Sequence, residues 1–341
     1  MNIRKRILDY LIKTFNGMAY GLFATLIIGT IISTIASFFP DGSIINETLL
    51  VVSLVLTILT GVGIGLGIAH SLKLEGLKLI SAAVVGGIVG YISGDFEKGK
   101  PGDPLSIYFV VILTIELAHL VLRKKTPVDI LIIPLFFSIV GIIITLLIHE
   151  PVYKITYTIG NFVNRATELQ PFLMGIIISV VMGMALTAPI SSAAIAISFG
   201  LSGLAAGAAV VGCSVQMVGF AVMSRKDNNL GTIISIGIGT SMLQFKNILK
   251  KPIIWLPTII VSAILGPIAT VVVKVLCNPI GAGMGTSGLV GQINTFAEMQ
   301  GNNLLWFSII GMQIVIPLIL VYIIDIIFRK LNLIKKGDLK V

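Results

Sequence analysis

The chain alternates between long apolar runs and short polar breaks. A helix needs about 20 apolar residues to cross a bilayer, and runs of roughly this length recur from end to end. The clearest lie at about 17–39, 105–122, 172–189, 203–223, 253–277 and 303–328, and three others end near residues 70, 93 and 149. The pattern predicts an all-α integral membrane protein with about ten transmembrane spans.

Composition agrees with this prediction. Hydrophobic residues make up 56% of the 341 positions and charged residues 11%, whereas soluble domains carry about 25% charged residues. The net charge of +9 comes from lysines and arginines in the tails and short loops. It therefore reports membrane topology, with both termini cytoplasmic, and does not indicate nucleic-acid binding.

The order of the runs predicts three regions. Five spans form a first half at 1–150, and an interfacial amphipathic linker follows at 151–170, predicted at the outer face. The remaining 171–341 form a second half. Two cytoplasmic tails require an odd number of crossings in the second half, but only four of its runs are long. Half-helices or re-entrant hairpins are therefore expected there, at 230–245 or after Pro189.

One polar motif occurs twice in this second half. The pattern Gly-x-Gly-Thr-Ser-x-Leu covers 237–243 and again 283–289, and amide side chains follow each copy. Gly-rich polar backbone at membrane depth is tolerated where protein or a water-filled cavity surrounds it, and paired interruptions point to a transporter binding site. Close helix packing is the alternative. The candidate solute ligands are Thr240, Ser241, Gln244, Asn247, Gly285, Thr286, Ser287, Gln292 and Asn294.

Other polar residues in apolar surroundings have two interpretations each. Gln216 can contact solute or form an interhelical hydrogen bond, and Ser191 can line the cavity or satisfy the backbone of a broken helix. Glu298 is the candidate catalytic residue, accepting a proton from a solute hydroxyl, or is a solvated loop residue. Glu116 and His119 share a helix face as a functional or structural pair. No metal site, cofactor site or nucleophilic triad is predicted.

Three segments carry a resemblance to a known family. They are 239–247, the stretch Ile268-Ala-Thr270, and 279–292. The chain resembles the membrane IIC family of the bacterial sugar phosphotransferase system, in the branch named for the perfringolysin O regulator. The resemblance implies a homodimeric permease of the bacterial inner membrane, with a dimerising first half and a substrate-holding second half. It also implies separate IIA and IIB proteins, since no such domain is fused to this chain.

The functional hypothesis is a permease subunit that binds and translocates a sugar or another polyol. It is at most the membrane component of a sugar phosphotransferase, with phosphorylation by a separate IIB protein. A membrane-embedded solute sensor or regulator without net transport is the alternative. Under either hypothesis, the two motif copies are predicted at the tips of broken elements around one cavity.

Overall fold

The computed structural model describes residues 3–94, 102–124, 126–188 and 190–341. Within them the chain is helical, and it divides into two compact units that meet in sequence between Ile155 and Thr156. Pro189 and most of the predicted outer loop at 94–104 lie outside the described residues.

The first unit is an array of helices with short connections. Its helices are α1 Ile3–Leu22, α2 Ile28–Ala36, α3 Ile44–Ile58, α4 Thr60–Ser71, α5 Gly76–Ser93, α6 Pro104–Val121 and α7 Asp129–Ala166, the last of which continues into the second unit. A π-helical turn joins α1 to α2. Helices α3 and α4 are bent by 49° at their junction.

Glycines bring α1, α4 and α5 into backbone contact. A Cβ added to Gly17 would lie 2.3 Å from the carbonyl oxygen of Gly67, and one added to Gly61 would lie 2.2 Å from that of Gly86. Such spacing of small residues lets membrane helices approach closely. These glycines therefore serve packing between helices within the unit.

Two hydrogen bonds between polar side chains join α1 to α6. Tyr10 donates a hydrogen bond to Glu116 at 2.5 Å, and the hydroxyls of Thr14 and Tyr108 lie 2.7 Å apart. His119 Nδ1 is 3.9 Å from Glu116, which is beyond hydrogen-bonding distance. Glu116 thus joins α6 to α1 through a tyrosine.

The second unit has shorter and more interrupted helices. They are α8 Pro171–Thr187, α9 Ser192–Ser198, α10 Gly203–Met223, α11 Leu230–Ile234, α12 Phe245–Lys250, α13 Leu256–Pro267, α14 Pro279–Ala282, α15 Val290–Glu298 and α16 Ile316–Lys330. Helix α10 is the core of this unit, since nearly all its residues are buried. The small glycine and alanine residues of α10 let α8 and α13 approach it closely, and this close packing buries α10.

Seven helices in the described part of the chain are long and apolar enough to cross a bilayer, and the bent α3–α4 pair makes an eighth. Two shorter apolar helices, Pro171–Thr187 and Leu230–Gly239, bring these segments to ten. The second of them is only about 15 Å long at 1.5 Å per residue, half of a hydrocarbon core of about 30 Å. It ends inside the first motif copy, where the sequence predicts a broken element.

The predicted linker is helical. Helix α7 runs without a break from Asp129 to Ala166, with Pro134 and Pro151 inside it. Only its first part, Asp129–Ile148, is apolar enough to span a membrane. The polar residues after Ile148 continue the same helix, whereas the sequence predicts a separate linker segment at 151–170.

Candidate functional site

The first motif copy interrupts a helix. A π-helical turn, Ser235–Gly239, follows α11, and Thr240 then adopts an extended conformation with φ −159° and ψ 135°. The Thr240 hydroxyl accepts a hydrogen bond from the Met242 amide at 3.2 Å, which begins a short 3-10 helix. The change of direction leaves carbonyl groups of the preceding turn without partners in a continuing helix.

The second copy forms a tight turn between two short helices. The Asn278 side chain caps α14 by accepting from the Ile280 and Gly281 amides, both at 3.1 Å. Gly285 and the non-glycine Leu289 then have φ of +53° and +60°. This left-handed backbone conformation is unusual for a non-glycine residue.

The two copies contact each other directly. The Thr286 hydroxyl donates to the Gly237 carbonyl at 2.5 Å, and the Ser287 hydroxyl donates to the Gly239 carbonyl at 2.8 Å. The Thr-Ser pair of the second copy thus satisfies carbonyls at the broken helix end of the first. Thr286, Ser287 and Gly239 are buried, Ser287 completely, and Gly237 is half-buried.

The second copy also packs against α9 and α10. A Cβ on Gly285 would lie 2.6 Å from the backbone carbon of Cys213, so only glycine fits there. Ser192 donates from its hydroxyl to the Gly283 carbonyl at 2.6 Å. Ser192, which follows the predicted Ser191, thus bonds the motif, and Ser191 is half-buried immediately before α9.

Gln216 on α10 joins the first copy to two other helices. Its Oε1 accepts from Trp255 Nε1 at 2.9 Å, from Thr258 at 3.0 Å and from Thr187 at 3.3 Å. The hydroxyls of Thr187 and Ser241 lie 2.8 Å apart. Trp255 Nε1 can only donate, which places the Gln216 oxygen on that side. Gln216 Nε2 is a buried donor without a hydrogen-bond partner.

Gln292 belongs to a second polar chain. Its Nε2 donates to Gln313 Oε1 at 2.7 Å, and Gln313 Nε2 donates to Thr295 at 2.9 Å. Gln292 Oε1 is buried and has no partner. Unmatched buried polar atoms are uncommon because each costs about 1–3 kcal/mol. The unit therefore holds one unmatched amide donor and one unmatched amide acceptor on predicted site residues.

Other predicted ligands serve different contacts. Gln244 Nε2 donates to the Leu339 carbonyl at 2.9 Å, and Asn247 Nδ2 donates to Gln244 Oε1 at 2.7 Å and to the Lys340 carbonyl at 3.1 Å. These two amides thus hold the C-terminal tail. Asn294 accepts from Asn278 at 2.8 Å and so ties α15 to α14.

Glu298 lies at the last position of α15 with an exposed side chain. The contacts that join the two motif copies do not include it. The described residues contain no group of three or more His, Cys, Asp or Glu able to hold a metal ion. Cys213 and Cys277 are free and buried.

Thr187, Thr258 and Gln313 are site residues that the sequence analysis did not select. Gln313 has the same signal as Gln216, an amide inside a long apolar run, and could have been found by it. The two threonines lie in apolar helices without a distinguishing pattern. Their hydroxyls become significant only because α8, α10 and α13 pack together.

Fold and site together define a multi-pass α-helical membrane protein with a buried polar cluster around paired, broken helical elements. The family described as "Phosphotransferase system, EIIC" matches residues 12–341. The chain belongs to this family, whose members are membrane permease subunits of sugar phosphotransferase systems. No curated protein and no solved structure matches the chain.

Proposed function

We propose that the chain binds a sugar or a similar polyol between the two motif copies and carries it across the membrane. The observation that supports this most is the direct bonding of the second copy's Thr-Ser pair to carbonyls of the first. Two distant broken elements meet at one place, which is how discontinuous helices form transporter sites.

The chemistry of the cluster suits a neutral, hydroxylated solute. Its groups are hydroxyls, amides, backbone carbonyls and the indole of Trp255, with no charged side chain among those bonded contacts. A sugar hydroxyl both donates and accepts. Sugar hydroxyls can accept from Gln216 Nε2 and donate to Gln292 Oε1, the two amide atoms of the predicted site residues that have no partner.

In the proposed site, the two motif copies bond each other and so close the space that the solute would occupy. The hydroxyls of Thr286 and Ser287 are occupied by the first copy, so solute entry requires these bonds to be exchanged for bonds to the ligand. Such an exchange preserves the number of hydrogen bonds, and the free-energy difference between closed and loaded forms is correspondingly small.

The remaining assignments rest on the family and on the basic tails. We propose a homodimer in a bacterial inner membrane, with both termini in the cytoplasm. The first half is assigned to dimerisation and the second to solute binding. Separate IIA and IIB proteins supply phosphorylation, and Glu298 is a proposed acceptor for a sugar hydroxyl proton. The Glu298 side chain is exposed, so the proposed role rests on its position after the second motif copy and not on packing contacts.

A binding experiment tests the proposal. The purified protein is titrated with a panel of sugars and polyols, using protection from thermal unfolding as the readout. Replacing Gln292 by Leu removes one polar partner, which costs about 1–3 kcal/mol, so affinity should fall roughly ten-fold or more. Asn46→Ala is the matched control, because that buried amide bonds a backbone carbonyl within the first unit.

The outcome separates the possible functions. Weakened binding in Gln292→Leu with unchanged binding in the control supports the site. Equal affinity in both variants contradicts it. Solute uptake by proteoliposomes then distinguishes a permease from a sensor, which would bind the solute without accumulating it.

A further inference from the structure

A basic pocket lies between α12 and the C-terminal tail, apart from the motif contacts. Its volume is about 390 Å³, and four lysines line it: Lys246, Lys250, Lys251 and Lys340. Asp338 is the one acidic side chain of its described lining. A cavity of this size is within the range of small-molecule sites.

The positive charge of the pocket is only partly compensated. Lys251 Nζ lies 2.6 Å from Asp338, which neutralises that lysine. Three lysines remain, and two charges would still be left if a carboxylate at Val341 were set against one of them. Burial, followed by the neighbouring Lys250, lowers the pKa of Lys246. A bound anion would offset both the burial and the repulsion from Lys250, and would raise the pKa of Lys246.

The walls of the pocket are held in place by hydrogen bonds. The tail is fastened by the Leu339 carbonyl, which accepts from Gln244 at 2.9 Å and from Asn228 at 2.7 Å. The Gly337 amide donates to Asp227 at 2.8 Å, and the Leu339 side chain is completely buried. The lysines therefore converge from two fixed segments.

We propose that this pocket binds a phosphate group, carried either by a free phosphorylated solute or by an anionic lipid headgroup. A tetrahedral phosphate presents oxygens in several directions, which suits cations converging from α12 and the tail. A planar carboxylate offers only two oxygens. Lysine binds phosphate as a point charge with three donors. The proposal does not depend on the solute site.

The same segments connect the pocket to the first motif copy. Asn247 lines the pocket and bonds Gln244, which follows the motif directly. An anion bound there would stabilise the docked tail against α12. Occupancy of the pocket would therefore favour one conformation of the segment that carries the first copy.

The test measures thermal stabilisation of the full chain by two probes. Inorganic phosphate is added to the detergent-solubilised protein. In parallel, the protein is reconstituted in phosphatidylcholine vesicles with and without phosphatidylglycerol. Stabilisation by phosphate assigns a free phosphorylated ligand, and stabilisation only by phosphatidylglycerol assigns a lipid headgroup. Stabilisation by neither probe overturns the proposal.

Lysine variants show whether the effect belongs to this pocket. Lys250 and Lys340 are exposed, so replacing each by Gln leaves the fold intact. Each change should weaken the effective probe about five-fold, equivalent to ~1 kcal/mol per surface lysine. Lys336→Gln is the control, since this exposed lysine lines a neighbouring pocket. An unchanged response in the first two variants, or an equal loss in the control, contradicts the assignment.

Discussion

The hydrogen bond from Ser287 to Gly239 can be tested by removing the hydroxyl. The Ser287 side chain is completely buried and donates at 2.8 Å to a carbonyl at the broken end of a helix. Ser287→Ala leaves that carbonyl without this partner in a buried position, which costs about 1–3 kcal/mol. At the midpoint of that range, the melting temperature should fall by about 4–8 °C for a unit of this size.

Ser262→Ala is the matched control. Ser262 is equally buried, but its hydroxyl has no hydrogen-bond partner. Deleting an unmatched buried hydroxyl removes a desolvation cost without breaking a bond. This variant should be as stable as the parent protein or slightly more stable.

The two native cysteines provide the assay. Cys213 and Cys277 are free and buried, so a thiol-reactive dye labels them only as the second unit unfolds. Neither variant changes a cysteine, and the dye signal reports the same event in both. Equal melting temperatures for Ser287→Ala and Ser262→Ala would refute the contact between the motif copies.

Three further predictions concern the same unit. Gly285→Ala should destabilise far more than Gly301→Ala in the dye assay. Both glycines have positive φ, but only the first has backbone atoms within 3 Å of the added carbon. Asp325→Asn should lower the free energy of unfolding, measured with the same dye, by about 3–5 kcal/mol, because it removes the buried negative charge that pairs with Arg225 and Arg329. Burial raises the pKa of Asp338, but hydrogen bonds from Lys251 and the Lys335 amide, together with the charges of both lysines, outweigh burial and hold that pKa below its usual range. The contact between Lys251 and Asp338 should therefore be present at neutral pH and be lost as pH falls through that lowered pKa, measured as faster pepsin cleavage of the tail.

The class of fold could be predicted from the sequence because bilayer thickness imposes a length on each apolar run. The break in the short helix at 230–239 was also predictable. Glycines followed by Thr240 and Ser241 do not continue an apolar helix at membrane depth. The bend between α3 and α4 was not predicted, since it falls inside a run of apolar residues, threonines and glycines that contains no proline or charged residue.

The contacts of individual amides depend on distant parts of the chain. Gln244 and Asn247 follow the first copy in sequence, but they bond the backbone of a tail that returns from residues 339 and 340. The residues around Gln244 and Asn247 do not indicate that the C-terminal tail folds back against them. Gln216 and Gln292, unlike Gln244 and Asn247, are enclosed by neighbouring helices. Whether one of their amide atoms lacks a hydrogen-bond partner can be decided only once the surrounding donors and acceptors are located in the structure.

The central claim is that one solute site lies between the two motif copies. A density map of the full chain in lipid, with a bound sugar, tests it most directly. The account predicts solute density in contact with residues of both copies, within hydrogen-bonding distance of Gln216 or Gln292. Density that contacts neither copy, or copies that lie apart at opposite membrane faces, would contradict it.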